Sequence, residues 1–167
     1  MVNVSESVQR LIDACGAKVL SEVGCLFLGI PMNARSLKAR GFYRRSIDTI
    51  MVAERNDVDG LTDYVALHEL VHWTGVAGRC ARPYMSNEAY EYNDFFQVMM
   101  RQQTEECTAM IGMVILATAL GLDVAKATYE RDKYLNGAYF ADRRRAIADG
   151  EQAAGYLLNF MQQKAAA

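Results

Sequence analysis

The sequence predicts a mostly helical α+β domain in which a small β-sheet lies beside one metal-binding helix. Three observations lead there. An H-E-x-x-H motif, His68 to His72, sits within a helical stretch at 61–75. Two short segments rich in β-branched and aromatic residues precede it, at 41–45 and 48–53. Long stretches with helical periodicity follow it. With 167 residues, 51% hydrophobic and 23% charged, the chain is expected to form one domain, residues 1–167, around one core.

The formal charge of −2 and pI near 5.7 give no global basis for nucleic-acid or membrane binding. The longest apolar run, 109–122, is too short to span a bilayer, so no membrane partner is expected. Cys15, Cys25, Cys80 and Cys107 lack metal-finger spacing, and MVNVSESVQR lacks the features of a secretory signal. Reduced thiols in a cytoplasmic protein follow as the expectation.

From the start of the chain, Val8, Leu11 and Ile12 recur at helical spacing, and Val19, Leu20 and Val23 extend the pattern to an N-terminal helix at about 4–23. The run 24–30, closed by Pro31, reads equally as the end of that helix or a short buried strand. Arg35, Lys38, Arg40, Arg44 and Arg45 then crowd a short segment. They read as a solvated loop and strand edge rather than a patch for an acidic partner. The segments 41–45 and 48–53 form two strands of a sheet region at about 41–53, with a tight turn at 46–48.

The metal helix is expected at about 62–74. Thr62 or Asp63 can cap its start, Tyr64, Val65, Leu67, Leu70 and Val71 supply apolar surface, and Gly75 offers a stop. His68 and His72, the only histidines, are one helical turn apart and project from one face, so both imidazoles can reach one ion. Glu69 lies about 100° round the helix, where a carboxylate can take a proton from a water activated by that ion. A zinc site of this class needs a third protein ligand.

The weakly periodic segment 76–91 reads as a loop over the site. Arg79 and Arg82 lie in it and could reach a substrate carboxylate or an oxyanion, although a surface arginine is the commoner case. The phenols of Tyr84, Tyr90 and Tyr92 are similar candidates. A long helix at about 95–120, stopped by Gly121, carries Glu105 and Glu106 at the head of the apolar run EECTAMIGMVILATAL. One of the two is expected to face inward as the third ligand. Two more helices, at 123–133 and 139–162, close the chain. The last is expected to bury Tyr139, Ile147, Ala154, Tyr156, Leu157, Leu158 and Phe160, with Arg143, Arg144 and Arg145 on a solvated face.

The run ALHELVHWTG, residues 66–75, resembles the signature of the metallopeptidase domain of ArdC antirestriction proteins, a zincin-like domain also found in phage polyvalent proteins. GFYRRSIDTIMVAERNDVDGLTDYVALHEL upstream, and EECTAMIGMVILATALGL and YLNGAYFADRRRAIADGEQAAGYLLNF downstream, are similar to the family's flanking elements. The likeness runs from about Gly41 to the end.

The resemblance implies a gluzincin-type fold with one zinc ion per chain held by His68, His72 and a helix glutamate, and Glu69 as general base. In related zincins an acidic or amide residue four positions after the ligand glutamate supports a histidine. That spacing selects Glu106 over Glu105, with Glu105 as the alternative ligand. Here the position four on is Met110. The support must then come from the backbone, Asp63 or another acid. The single-stranded-DNA-binding N-terminal domain of ArdC proteins is replaced by about 40 residues that look unrelated, so DNA binding does not carry over.

The leading expectation is a zinc metallopeptidase of a phage or mobile element that acts on a protein or peptide substrate, such as a host defence component. The alternatives are a non-proteolytic zinc-containing binding protein, and a structural zinc site with Cys107 or Cys80 as fourth ligand.

Overall fold

The computed structural model describes residues 2–32, 39–85 and 94–166. Helix α1 (Glu6–Cys15) buries Val8, Leu11 and Ile12, the face their spacing marks. It stops at Cys15 because Gly16 turns left-handed, at φ 72°, and returns its N–H to the Ile12 carbonyl. The continuous helix to residue 23 is therefore not formed. Val19 and Leu20 belong instead to strand β1 (Lys18–Ser21), and the Ser21 hydroxyl caps helix α2 (Glu22–Phe27) by accepting from the Gly24 N–H. Most of the ambiguous 24–30 run lies in or just after this short helix.

Strands β2 (Gly41–Arg44) and β3 (Thr49–Val52) pair antiparallel, with Arg44 opposite Thr49. A 3-10 turn at Arg45–Ile47 and Asp48 at φ 45° join them, a slightly longer connection than the predicted turn. The sheet order is β1-β3-β2, and β1 runs parallel to β3 with Val19 opposite Ile50. All four residues of β3 are buried, and the period-2 alternation splits them: Ile50 and Val52 join the main core, while Met51 packs with Cys25 beneath α2. Both faces of the sheet are thereby covered. Arg40, at the sheet's edge, pairs with Asp59 at 2.7 Å; Arg35 and Lys38 lie outside the described residues.

Helix α3 (Asn56–Asp59) closes at Gly60, at φ 62°, and leads into helix α4 (Thr62–Thr74), which has the predicted bounds. Its ends differ from the expectation. Neither Thr62 nor Asp63 caps it: the N-cap is Leu61, the Thr62 hydroxyl bonds Asp57, and Asp63 accepts the Ser5 N–H at 2.7 Å. Gly75 is not left-handed, at φ −74°. What it supplies is space, since a Cβ there would lie 2.6 Å from Met85 Cγ and 2.8 Å from Arg82 Nη2.

Helix α5 (Phe95–Ala119) starts at Asp94, whose carboxylate accepts from the Phe96 N–H at 2.9 Å. Helix α6 (Val124–Leu135) follows, then helix α7 (Arg143–Ala165), capped by Asp142 on the Arg145 N–H. Tyr139 was expected in the buried face of the last helix. It precedes that helix and is 84% exposed, because Asp142 sets the helix start and Ala138 takes the buried place. Ile147 is also exposed, whereas Ala154 and Leu157 are buried as expected and Arg143 to Arg145 face solvent. Two glycines set the helix spacing. A Cβ on Gly112 of α5 would meet Val71 Cγ2 of α4 at 2.7 Å, and one on Gly150 of α7 would meet Ile111 Cγ2 at 2.9 Å. Helix α5 is thus held between α4 and α7, which fixes its glutamates against the motif helix. No helix among the described residues is long and apolar enough to cross a membrane.

Candidate metal centre

One turn of α4 separates His68 and His72, and their rings meet edge to face with centroids 4.7 Å apart. Their Nε2 atoms are 3.1 Å apart. Glu106 reaches over from α5, with one carboxylate oxygen 3.3 Å from His68 Nε2 and the other 3.5 Å from His72 Nε2. Donor atoms sharing one tetrahedral ion at about 2.0–2.1 Å stand roughly 3.3 Å apart. The separations here, taken to the two oxygens of Glu106, lie close to that figure. Two imidazoles and a carboxylate are a donor set suited to a divalent metal, and they form the one such cluster among the described residues.

Glu105 lies outside that cluster and faces the other way. One of its carboxylate oxygens is 3.0 Å from His72 Nδ1, and the buried Arg82 guanidinium donates to both oxygens, at 2.9 and 2.6 Å. A neutral His72 that donates its Nδ1–H to Glu105 presents the Nε2 lone pair to the cluster. Glu105, not Asp63, is therefore the acid that supports a histidine in the absence of one at Met110. Arg82 was expected at the surface or on substrate. It is 1% exposed, because its loop folds back under α4 and its remaining donors reach Thr74 Oγ1 and the Val71 carbonyl, both at 2.7 Å.

The electrostatics follow from this packing. Burial pushes the Glu69 carboxyl above its usual range, against the opposing pull of His68, His72 and the Tyr43 backbone N–H. Burial disfavours the charged form of His72, but Glu106 and Glu105 outweigh it and raise the ring well above its ordinary value. Burial also works against ionised Glu106 and Glu105. The histidines hold Glu106 far below the carboxylate range, and His72 with Arg82 lowers Glu105.

The cluster opens into a cleft of about 910 Å³. Strand β2 forms one wall through Gly41, Phe42 and Tyr43; Val98, Met99, Met110 and Met113 of α5 form the other, and Glu69 and Tyr84 also line it. Arg79 does not line it: its guanidinium lies 3.5 Å from the Trp73 ring centroid, donates to the Trp73 carbonyl and pairs with Asp48. Tyr90 and Tyr92 lie outside the described residues. Neither cysteine proposed as a fourth ligand joins the cluster, since Cys107 packs with Ala138 and Ala146 and Cys80 sits beside Thr74. Sequence reasoning missed Tyr134, which lines the cleft close enough to Glu106 for burial and that charge to push its phenol well above its ordinary value. No motif marked it.

A match to the zincin-like metallopeptidase family spans residues 21–149. The chain belongs to that family. Among solved structures, the zincin-like chain resembles the antirestriction protein ArdC of plasmid R388. The Mn(II)-bound form matches with a TM-score of 0.56 and 20% identity, over 99% of this chain and 54% of ArdC. The metal-free form matches at 0.54 and 20%, over 99% and 52%. Among curated proteins, the DNA primase TraC of Escherichia coli is 28% identical over 179 residues, or 97% of this chain and 10% of TraC. The chain thus spans about half of ArdC and a tenth of TraC. The fold is ArdC-like, and since the likeness covers 99% of this chain it takes in the N-terminal residues that looked unrelated, where β1 completes the sheet.

Proposed function

We propose that this chain is a zinc-dependent metallopeptidase of a phage or mobile element, working in the host cytoplasm on a protein or peptide of a defence system. The observation that carries the reading is the convergence of His68, His72 and Glu106 donor atoms, within 4.8 Å of one another, in a cleft that Glu69 also lines. One zinc ion per chain would be held by those three side chains. When bound it supplies a Lewis acid for the scissile carbonyl and an activated water.

The chain's own residues supply the proton chemistry. Glu69 is 6% exposed, and burial has already shifted its carboxyl toward neutrality, which suits a group that takes a proton from water and passes it to a leaving amine. The Tyr43 N–H on β2 holds that carboxylate in place. Tyr84 is assigned as the donor toward a developing oxyanion, since its phenol belongs to the cleft lining and Arg79 does not. With Glu105 on His72, Met110 no longer argues against hydrolysis. The defence-related role draws on the likeness to the antirestriction protein ArdC. A nucleic-acid partner enters only through ArdC and TraC.

The test is elemental analysis of wild type and His68→Ala, followed by a restriction-protection assay with Glu69→Gln. One zinc per chain, lost in His68→Ala, with protection abolished in metal-loaded Glu69→Gln, is expected. No metal after reconstitution refutes the centre. Protection that survives Glu69→Gln refutes hydrolysis and supports a metal-containing binding protein.

A further inference from the structure

We infer that Arg82 is a positioning residue of the metal centre: it latches the 75–85 segment onto Glu105 and thereby fixes the acceptor that orients His72. The inference rests on the metal-centre reading above, and it gives the loop after the motif helix a part in metal affinity.

The guanidinium is the largest fully buried side chain among the described residues, and each of its three nitrogens donates. Two bonds close a fork on the Glu105 carboxylate, and two more tie the same group to the last turn of α4, at Val71 and Thr74. A planar fork can serve a carboxylate and a helix end together, which an ammonium cannot. Without that cation, Glu105 would be a buried carboxylate held by His72 alone among the described partners, with nothing to fix its position. A carboxylate no longer anchored in place cannot fix the acceptor that orients the His72 ring.

The backbone is shaped to deliver the group. Cys80 N–H returns to the Thr74 carbonyl at 2.8 Å and Arg82 N–H to the Gly75 carbonyl at 2.9 Å. Ala81 is held left-handed at φ 49°, a conformation that costs an alanine energy and persists where surrounding bonds enforce it. Gly75 leaves the space in which the guanidinium lies. Tyr84 follows within the same turn, so the latch that orients His72 also sets a wall of the cleft. Coupling of this kind is reciprocal: a loop that raises metal affinity is itself ordered by the metal.

The experiment measures Zn²⁺ affinity by competition with a chromophoric chelator for wild type, Arg82→Lys, Arg82→Met and the double variant Arg82→Met/Glu105→Leu. Helical circular dichroism confirms the fold of each, and hydrogen exchange follows the 75–85 amides. The single variants should bind zinc about 10–100-fold more weakly, as loss of an outer-sphere support does. The double variant replaces the buried ion pair with apolar groups and so spares the fold, yet should remain as weak. Zinc should protect the 75–85 amides in wild type and less so in Arg82→Lys. Zinc binding as tight as wild type in the folded double variant overturns the inference and leaves Arg82 a structural residue. A wild type that binds no zinc overturns the metal-centre reading instead.

Discussion

Two adjacent glutamates of one helix should fail in opposite ways when each is changed to glutamine. Glu105 is 7% exposed at its side chain and Arg82 0%, so Glu105→Gln leaves a buried guanidinium without its counter-charge. Removing one partner of a buried pair costs about 3–5 kcal/mol. The glutamine oxygen can still accept one bond, which places the expected loss near 3 kcal/mol, or about 6–12 °C in Tm for a chain of this size. Its zinc affinity should fall about 10–100-fold and remain measurable. Glu106 is 42% exposed and contacts only the two histidines among the described groups, so Glu106→Gln should leave chelator-treated stability within about 1 kcal/mol. It removes the anionic ligand, and its zinc affinity should fall by more than the Glu105 change. Thermal unfolding in chelator isolates the first effect and chelator competition the second. An unchanged Tm in Glu105→Gln, or Glu106→Gln that keeps wild-type zinc affinity, refutes the division of roles.

Three further outcomes are expected. A Cβ on Gly41 would lie 2.6 Å from Val65 Cγ1 and 3.1 Å from Glu69 Oε1, so Gly41→Ala should cut the Glu69-dependent protection while zinc content stays at one per chain; a parallel loss of zinc would contradict this. Gly112→Ala overpacks Val71 at 2.7 Å and should cost about 1–3 kcal/mol in denaturant unfolding, with partial rescue by Val71→Ala. Glu106 and Glu105 raise His72 well above its ordinary value in the metal-free protein, so the ring carries a proton at neutral pH that an ion must displace. Zinc affinity should therefore strengthen as pH rises toward that raised value, and calorimetry in buffers of different ionisation enthalpy should record proton release; affinity independent of pH would contradict it.

The parts of this molecule legible in its sequence were those where local pattern and packing agree. Helix α4 was legible because its apolar residues and its motif point one way, although neither Thr62 nor Asp63 caps it and Gly75 does not turn left-handed. Strands β2 and β3 were visible from their composition. Strand β1 was not, since Val19 and Leu20 continue a helical spacing and become a strand only through distant pairing with β3. Gly16 was the available signal, being the residue that can close a helix left-handed. Arg82 was misread for the same reason: a loop arginine is exposed by default, and only the position of Glu105 on another helix makes its burial favourable.

The glutamate pair takes both sides of one histidine. Consecutive helix positions differ by about 100°, so Glu105 and Glu106 cannot aim at one point. They can flank one ring. His72 offers a nitrogen on each side, and the structure puts Glu106 within 3.5 Å of Nε2 and Glu105 within 3.0 Å of Nδ1. Neighbouring carboxylates would repel if both stayed ionised, which is where the third member enters: Arg82 neutralises the inner one and leaves the outer one free to face a cation. The buried Arg82–Glu105 pair thus stands together with an apolar Met110 four positions after Glu106. The two features should be exchanged together in any variant that moves the support back.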